Sequence, residues 1–329
     1  MKKIIISIYL FVGIFCSLHA QPPLDVKIAD LNIPEVPGFV LSDKAPASVD
    51  KPLNPRAFAL NLLNLREGGA LQVTPFWLVN QPAYTFDRWL GNKFPVLETF
   101  NLSTATFKTD TTSVVSIGFK SQVFRLYSKT SKADILAIKA EIQKLATPKV
   151  VNDVALDVTP ADSVLIVKKL AELGELKKRG YFGVEVAGAI AGASNNGSFK
   201  KLQSQKSGVW VNVVLSPSII PLSIVGVARY SWANNVQPKS SKDSSFLDFG
   251  LSLNYENKKL TLSGEILSRK DFSINKNYTR FAFIGNYALT ENIVLVASLG
   301  KNFSDTENII TSFGIRFGLS RTKTLIKFN

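Results

Sequence analysis

One cysteine, one histidine and one methionine are all that the 329 residues hold. They are Cys16, His19 and Met1, grouped at the N-terminus. Met1-Lys2-Lys3, the apolar run from Ile4 to Phe15, and Ala20 before Gln21 have the pattern of a secretory signal. Residues 1–20 are therefore read as a signal peptide removed after Ala20. The run is well short of the ~20 residues of a membrane-spanning helix, and bulky Phe15 before Cys16 argues against lipoprotein processing. With residues 1–20 gone, the mature chain has neither thiol nor imidazole. Disulfides, cysteine nucleophiles, histidine general bases and ordinary His/Cys metal centres are excluded on this reading. Neither an enzyme activity nor a cofactor is expected.

Acidic residues are also in deficit, 25 against 39 Lys and Arg. Losing Lys2 and Lys3 leaves 37 bases against 25 acids, a net charge of +12. A basic secreted protein meets lipid phosphates, acidic glycans or acidic solutes, and nucleic acid is not an expected partner. After Phe15 no apolar run is long enough for a transmembrane helix.

What the chain has instead is alternation. Residues 21–56 form a proline-rich lead-in that blocks regular ladders; it is expected to be periplasmic or tucked into a barrel. From residue 57 to 329 a period of two takes over. Leu247, Phe249, Leu251, Leu253 and Tyr255 share one face, opposed by Asp248, Gly250, Ser252 and Asn254. Further runs cover 57–65, 69–79, 95–108, 112–127, 181–193, 207–216, 222–232, 259–268, 278–288, 292–301 and 309–320. Most are near the ~9–11 residues of a tilted membrane strand.

Alternation alone fits a soluble β-sandwich as well. Two features favour a membrane barrel. The non-apolar face is Gly, Ser, Asn and isolated charge rather than a crowd of Lys and Glu. The connections from Ser194 onward alternate long and short, as external loops and periplasmic turns do. Aromatics near strand ends (Tyr127, Tyr181, Trp210, Tyr230, Trp232, Tyr255, Tyr278 and Tyr287) fit interfacial girdles. The expected fold is all-β: an antiparallel transmembrane β-barrel of about 12 strands with a helical hairpin inserted at about 131–180. The first helix starts at Ser131-Lys132-Ala133-Asp134, a capping-box-like sequence, and carries the stripe Ile135, Ile138, Ile142 and Leu145. The second starts at Thr159-Pro160, with Val167, Leu170, Ala171 and Gly174 at helical spacing. The hairpin is expected to bury its own stripes, plug the lumen or dock a periplasmic partner.

The polar phase of each strand nominates lumen-lining residues: Lys120, Glu185, Arg229, Asp248, Glu265, Arg280 and Arg316. A charge on the lipid face costs ~2–4 kcal/mol at mid-bilayer, which sends these inward. Asp248 and Glu265 could form a carboxylate pair, but the neighbouring arginines point to a salt-bridge lattice. Basic external loops are expected at Lys200, Lys201 and Lys206, at Lys239 and Lys242, and at Arg269, Lys270 and Lys276. Bases at that level suit lipopolysaccharide phosphates.

In architecture the mature chain resembles Gram-negative outer-membrane β-barrel proteins. Over about residues 46–78, Pro52-Leu53-Asn54-Pro55-Arg56-Ala57-Phe58 and then Pro75-Phe76-Trp77-Leu78 are similar to a functionally uncharacterised barrel group. That group has a Pro-Arg lead-in and an Ala-Pro-aromatic second strand; Thr74 stands here where Ala is usual. The resemblance implies a barrel in the cell outer membrane and no assigned activity. Two functions remain open: a channel for small polar or anionic solutes, or a non-conducting structural barrel that docks a periplasmic or outer-membrane partner. Lumen occupancy separates them.

Overall fold

The computed structural model describes residues 37–41, 58–64, 68–78, 86–108, 112–146, 149–151, 154–156, 160–195, 202–233, 244–257, 259–290, 293–303 and 310–321. In chain order these form α1 (Pro37–Leu41), β1 (Phe58–Asn64), β2 (Gly68–Val73), a 3-10 turn (Pro75–Leu78), α2 (Phe86–Gly91), α3 (Val96–Thr99), β3 (Asn101–Lys108) and β4 (Thr112–Tyr127). A helical excursion follows: α4 (Lys129–Ala146), the short strands β5 (Lys149–Val151) and β6 (Val154–Leu156), and α5 (Pro160–Lys177). Then come β7 (Tyr181–Asn195), β8 (Gln203–Ser216), β9 (Leu222–Ala233), β10 (Ser244–Asn257), β11 (Leu260–Asp271), β12 (Lys276–Ala288), β13 (Ile293–Lys301) and β14 (Ile310–Arg321).

All strands but β5 and β6 belong to one antiparallel barrel sheet, ordered β1-β14-β13-β12-β11-β10-β9-β8-β7-β4-β3-β2. Phe58 lies opposite Val73 of β2 on one side and Arg321 of β14 on the other. Each strand of this sheet therefore has two neighbours, and no edge is left to template aggregation. Antiparallel succession puts the connections 74–100, 128–180, 217–221, 258–259 and 289–292 at one end, here called the hairpin end. Among the described residues no helix is long and apolar enough to cross a membrane; strands are a separate matter.

Two strands are shorter than the alternation predicts. The run 69–79 stops at Val73, because Pro75 lacks an N–H and turns the chain into the 3-10 segment. The run 95–108 starts only at Asn101. Its first residues coil into α3 beside β4, where the Thr99 hydroxyl donates to the Pro95 carbonyl at 2.6 Å and accepts from Gln122 N at 2.8 Å. Arg125 N donates to the Lys93 carbonyl at 2.8 Å, so this segment hydrogen-bonds along β4.

The excursion leaves at Tyr127 and returns at Tyr181, and these two residues are directly paired. Helix α4 begins three residues earlier than its sequence signal suggests. Ser128, not Ser131, caps it: its Oγ accepts from Ser131 N at 3.2 Å. Ile135, Ile138 and Ile142 are buried against Ile166, Leu170 and Leu173 of α5, joined by Leu90 of α2. The hairpin thus buries its stripes with help from the 74–100 connection. On α5 Leu170 and Gly174 are buried as predicted, alongside Ile166 and Leu173, whereas Val167 and Ala171 are exposed. Gly180 ends the excursion at φ +66°, where a Cβ would lie 1.6 Å from Ser131 Oγ. Only glycine fits that corner.

Candidate functional site

The barrel wall has inverted polarity. Along β10, Asp248, Ser252 and Asn254 are buried while Phe249, Leu251 and Leu253 are 50–58% exposed. On β8 and β11, Asn212, Thr261, Ser263 and Glu265 are buried while Val209, Val211, Val213, Leu262 and Ile266 face out. Phe283 and Phe313 are 61% and 74% exposed on β12 and β14. A water-soluble sheet would put these apolar side chains inside, since each is worth ~1.5–3 kcal/mol when withdrawn from water. The outward band is contiguous across several strands, far beyond scattered surface hydrophobics.

The inner face holds a set of buried ion pairs. Asp248 of β10 stands opposite Arg229 of β9 and opposite Arg269 of β11, so one row crosses three strands. Arg229 Nη2 lies 2.6 Å from Asp248 Oδ2, and Arg269 Nε lies 2.8 Å from Asp248 Oδ1. Arg269 Nη2 adds a bond of 3.0 Å to Oδ2. The Arg269 guanidinium also sits 3.7 Å from the centroid of the Phe303 ring, a cation–π contact. Lys120 Nζ pairs with Glu185 Oε2 at 3.2 Å between β4 and β7. Arg280 of β12 bonds Glu265 of β11 at 3.1 Å and donates to Asn302 Oδ1 at 3.1 Å. Charges so buried persist only as pairs, because an orphaned ion loses its solvation with no return.

Beside this lattice lies α1. Pro37, Val40 and Leu41 are buried, and Leu41 is 0% exposed. Their neighbours are inner-face residues with little or no side chain. A Cβ on Gly118 of β4 would fall 2.7 Å from Pro37 Cβ, and one on Gly208 of β8 would fall 2.8 Å from Leu41 Cδ1. Ala187, Ala189, Ala191 and Ala193 of β7 belong to the same apolar cluster. Arg229 Nη1 donates to the Val40 carbonyl at 3.4 Å. The small residues hollow the wall, and Pro37, Val40 and Leu41 pack into the hollow.

Of the residues nominated from sequence, Lys120, Glu185, Arg229, Asp248, Glu265 and Arg280 are all buried in the wall. Asp248 and Glu265 do not form a carboxylate pair; each binds arginine. Arg316 lies opposite Val294 in the β13–β14 register, and its side chain falls outside the described residues. Arg269 is a correction. It is not in an external loop, because β11 runs on to Asp271 and its phase turns Arg269 inward onto Asp248. Cross-strand charge complementarity with Asp248 was the signal that could have found it. Lys206 lies within β8, which starts at Gln203, and its ammonium is 5.9 Å from the Phe246 ring centroid. Lys270 and Lys276 are exposed on the last and first turns of β11 and β12 rather than in a long loop; the connection between these strands is only 272–275. That short connection also breaks the long–short alternation. Lys200, Lys201, Lys239 and Lys242 lie outside the described residues. Tyr181 and Trp210 are buried on the inner face, so they do not belong to an outer girdle; Tyr230, Trp232 and Tyr287 do face outward.

Three contacts join the hairpin to the barrel end. Lys178 Nζ lies 3.0 Å from Glu256 Oε1 of β10, Ser216 Oγ of β8 donates to the Lys178 carbonyl at 2.8 Å, and Tyr127 OH donates to the Lys177 carbonyl at 3.3 Å. Burial, and then the Arg125 guanidinium, push the Lys177 ammonium down to about 7.

No family model matches the chain. No curated protein matches it either. Among solved structures, it is similar to an anion-selective porin from Comamonas acidovorans at 8% identity and a TM-score of 0.30, covering 80% of this chain and 96% of that one. The Acinetobacter baumannii outer membrane protein Omp33 is 10% identical with a TM-score of 0.31, covering 82% and 100%. The P. putida toluene transporter TodX is 8% identical with a TM-score of 0.26, covering 78% and 79%. Likenesses at that level say nothing of what this chain does.

Proposed function

We propose that this chain is an outer-membrane β-barrel protein of a Gram-negative cell, and that it serves as a normally closed passage for small polar solutes. The observation that carries the membrane reading is the inverted wall: Phe249, Leu251 and Leu253 out, Asp248, Ser252 and Asn254 in. Water on the outside would penalise every one of those exposed side chains, whereas lipid does not. The hairpin end then faces the periplasm. At the other end the exposed Lys270 and Lys276 suit lipid or lipopolysaccharide phosphates.

The passage reading rests on a polar inner face with paired charges. Among the described residues, the buried strand bases Lys120, Arg229, Arg269 and Arg280 are matched in number by Glu185, Asp248, Glu265 and Asp271. This balance favours polar solutes of either sign over the anion preference expected from sequence. A second reading, a docking barrel, is favoured by Val164, Leu165 and Val167, which are 46–70% exposed on α5.

The deciding experiment is refolding of the mature chain into detergent and planar bilayers. Heat-modifiable gel mobility and conductance steps with little charge selectivity are the expected results. A detergent-independent soluble protein would sink the membrane reading. A folded, inserted barrel that never conducts under any treatment would leave the docking reading.

A further inference from the structure

The geometry points to α1 as a removable stopper: Pro37–Leu41 occupies a peptide-binding cradle on the inner wall, and its departure opens the passage. The inference rests on the barrel reading above and names the regulation of that same lumen. The ligand of the cradle is chemically defined: one turn of apolar peptide with a carbonyl presented to an arginine.

Three observations carry it. First, the wall is shaped for an occupant. Gly118 and Gly208 are glycines at inner-face positions where any Cβ would collide with Pro37 or Leu41. Neither has a positive φ, so backbone conformation does not require glycine there; α1 supplies the nearest atom a Cβ would meet, ahead of the wall atoms Gly188 O at Gly118 and Ser231 Cβ at Gly208. Second, the occupant is not woven into the wall. It forms no part of the sheet, and a five-residue helix has no stability of its own. Third, the wall is electrostatically complete without it. The carboxylate bonds of Arg229 run to Asp248 at 2.6 and 2.8 Å, while the bond to the Val40 carbonyl is a longer 3.4 Å. Withdrawal of α1 therefore strands no charge.

The test uses the mature chain, with Cys16→Ser in place should any precursor remain. Leu41→Cys with Gly208→Cys puts two thiols across the contact. The expected result is a disulfide in the folded, heat-modifiable protein, with no conductance when oxidised and a return to the infrequent openings of the unsubstituted protein after reduction. In parallel, Val40→Asp with Leu41→Asp raises the open probability over the unsubstituted protein by roughly 100-fold, since two buried apolar side chains become charged. A heat-modifiable barrel in which the disulfide does not form overturns the placement of the stopper. Disulfide formation with both redox states and the Asp variant silent overturns its role, leaving the ion-pair lattice as the obstruction. Absence of any heat-modifiable band, with or without substitutions, overturns the barrel reading first and the stopper with it.

Discussion

Asp248 faces Arg229 directly across the β9–β10 ladder, with Oδ2 and Nη2 2.6 Å apart and both side chains essentially out of contact with solvent. The same carboxylate also serves Arg269. It is the central ion of a three-residue row, and its removal leaves two buried guanidiniums facing each other. Asp248→Ala should lower stability by ~3–5 kcal/mol. Asp248→Asn should fall short of that, because the amide oxygen still accepts one bond. The midpoint of urea unfolding, followed by loss of the heat-modifiable band, reads both. A change below about 1 kcal/mol for the alanine variant would mean the row is hydrated.

The inverted wall predicts an asymmetry between adjacent residues of β10. Leu251, at mid-strand and 58% exposed, should not tolerate charge: Leu251→Arg costs ~2–4 kcal/mol in a lipid bilayer. Its inward neighbour Ser252 should accept Ala at well under that cost. Refolding yield into lipid vesicles separates them. Equal tolerance at the two sites would contradict a lipid-facing exterior.

The corner at Gly180 carries a sharper steric demand. Its φ of +66°, and Ser131 Oγ standing where a Cβ would go, leave no place for a methyl group. Gly180→Ala should cost about 1–2 kcal/mol from the backbone alone, with more from displacing Ser131. The effect belongs to the helical hairpin, so proteolysis of α4 and α5 should accelerate while the barrel keeps its heat modifiability.

Lys177 predicts a pH dependence of the same hairpin. Its folded value of about 7 lies below the ~10.4 of a free lysine. Between these values the unfolded state holds a proton that the folded state lacks, so stability rises with pH across that window. Below about 7 both states are protonated and the full desolvation penalty applies. Lys177→Met should stabilise the hairpin at pH 6 and flatten the dependence. Protease protection measured from pH 6 to 10 tests this; a slope unchanged in the Met variant would assign it to another group.

Much of the wall could be read from sequence because a two-sided sheet writes its environment into every second residue. The strands from Thr112 onward carry that pattern, with the excursion marked by 3.6-residue spacing and Thr159-Pro160. What sequence did not carry was tertiary. Val96 and Leu97 have strand-like composition but coil beside β4, held by bonds from Ser121 and Gln122 that no local pattern encodes. Arg269 looked like a loop cation because the distance from Ile266 to the turn could not be fixed to a residue. For Tyr181 and Trp210 residue type suggests a girdle, but strand phase decides and turns both inward. The seat of α1 was hidden twice: the prolines of the lead-in mask periodicity, and glycine on the polar face of a strand does not say what packs against it.

The return of the chain from Tyr127 to Tyr181 also bears on assembly. Strands β4 and β7 must find each other although the whole excursion separates them. Left as open coil, such a loop adds closure entropy and slows pairing. Helices α4 and α5 make mostly local contacts, and a locally folded pair shortens the gap to the few residues at its base. A folded excursion therefore lets β7 meet β4 at the entropic cost of a short connection rather than a long one.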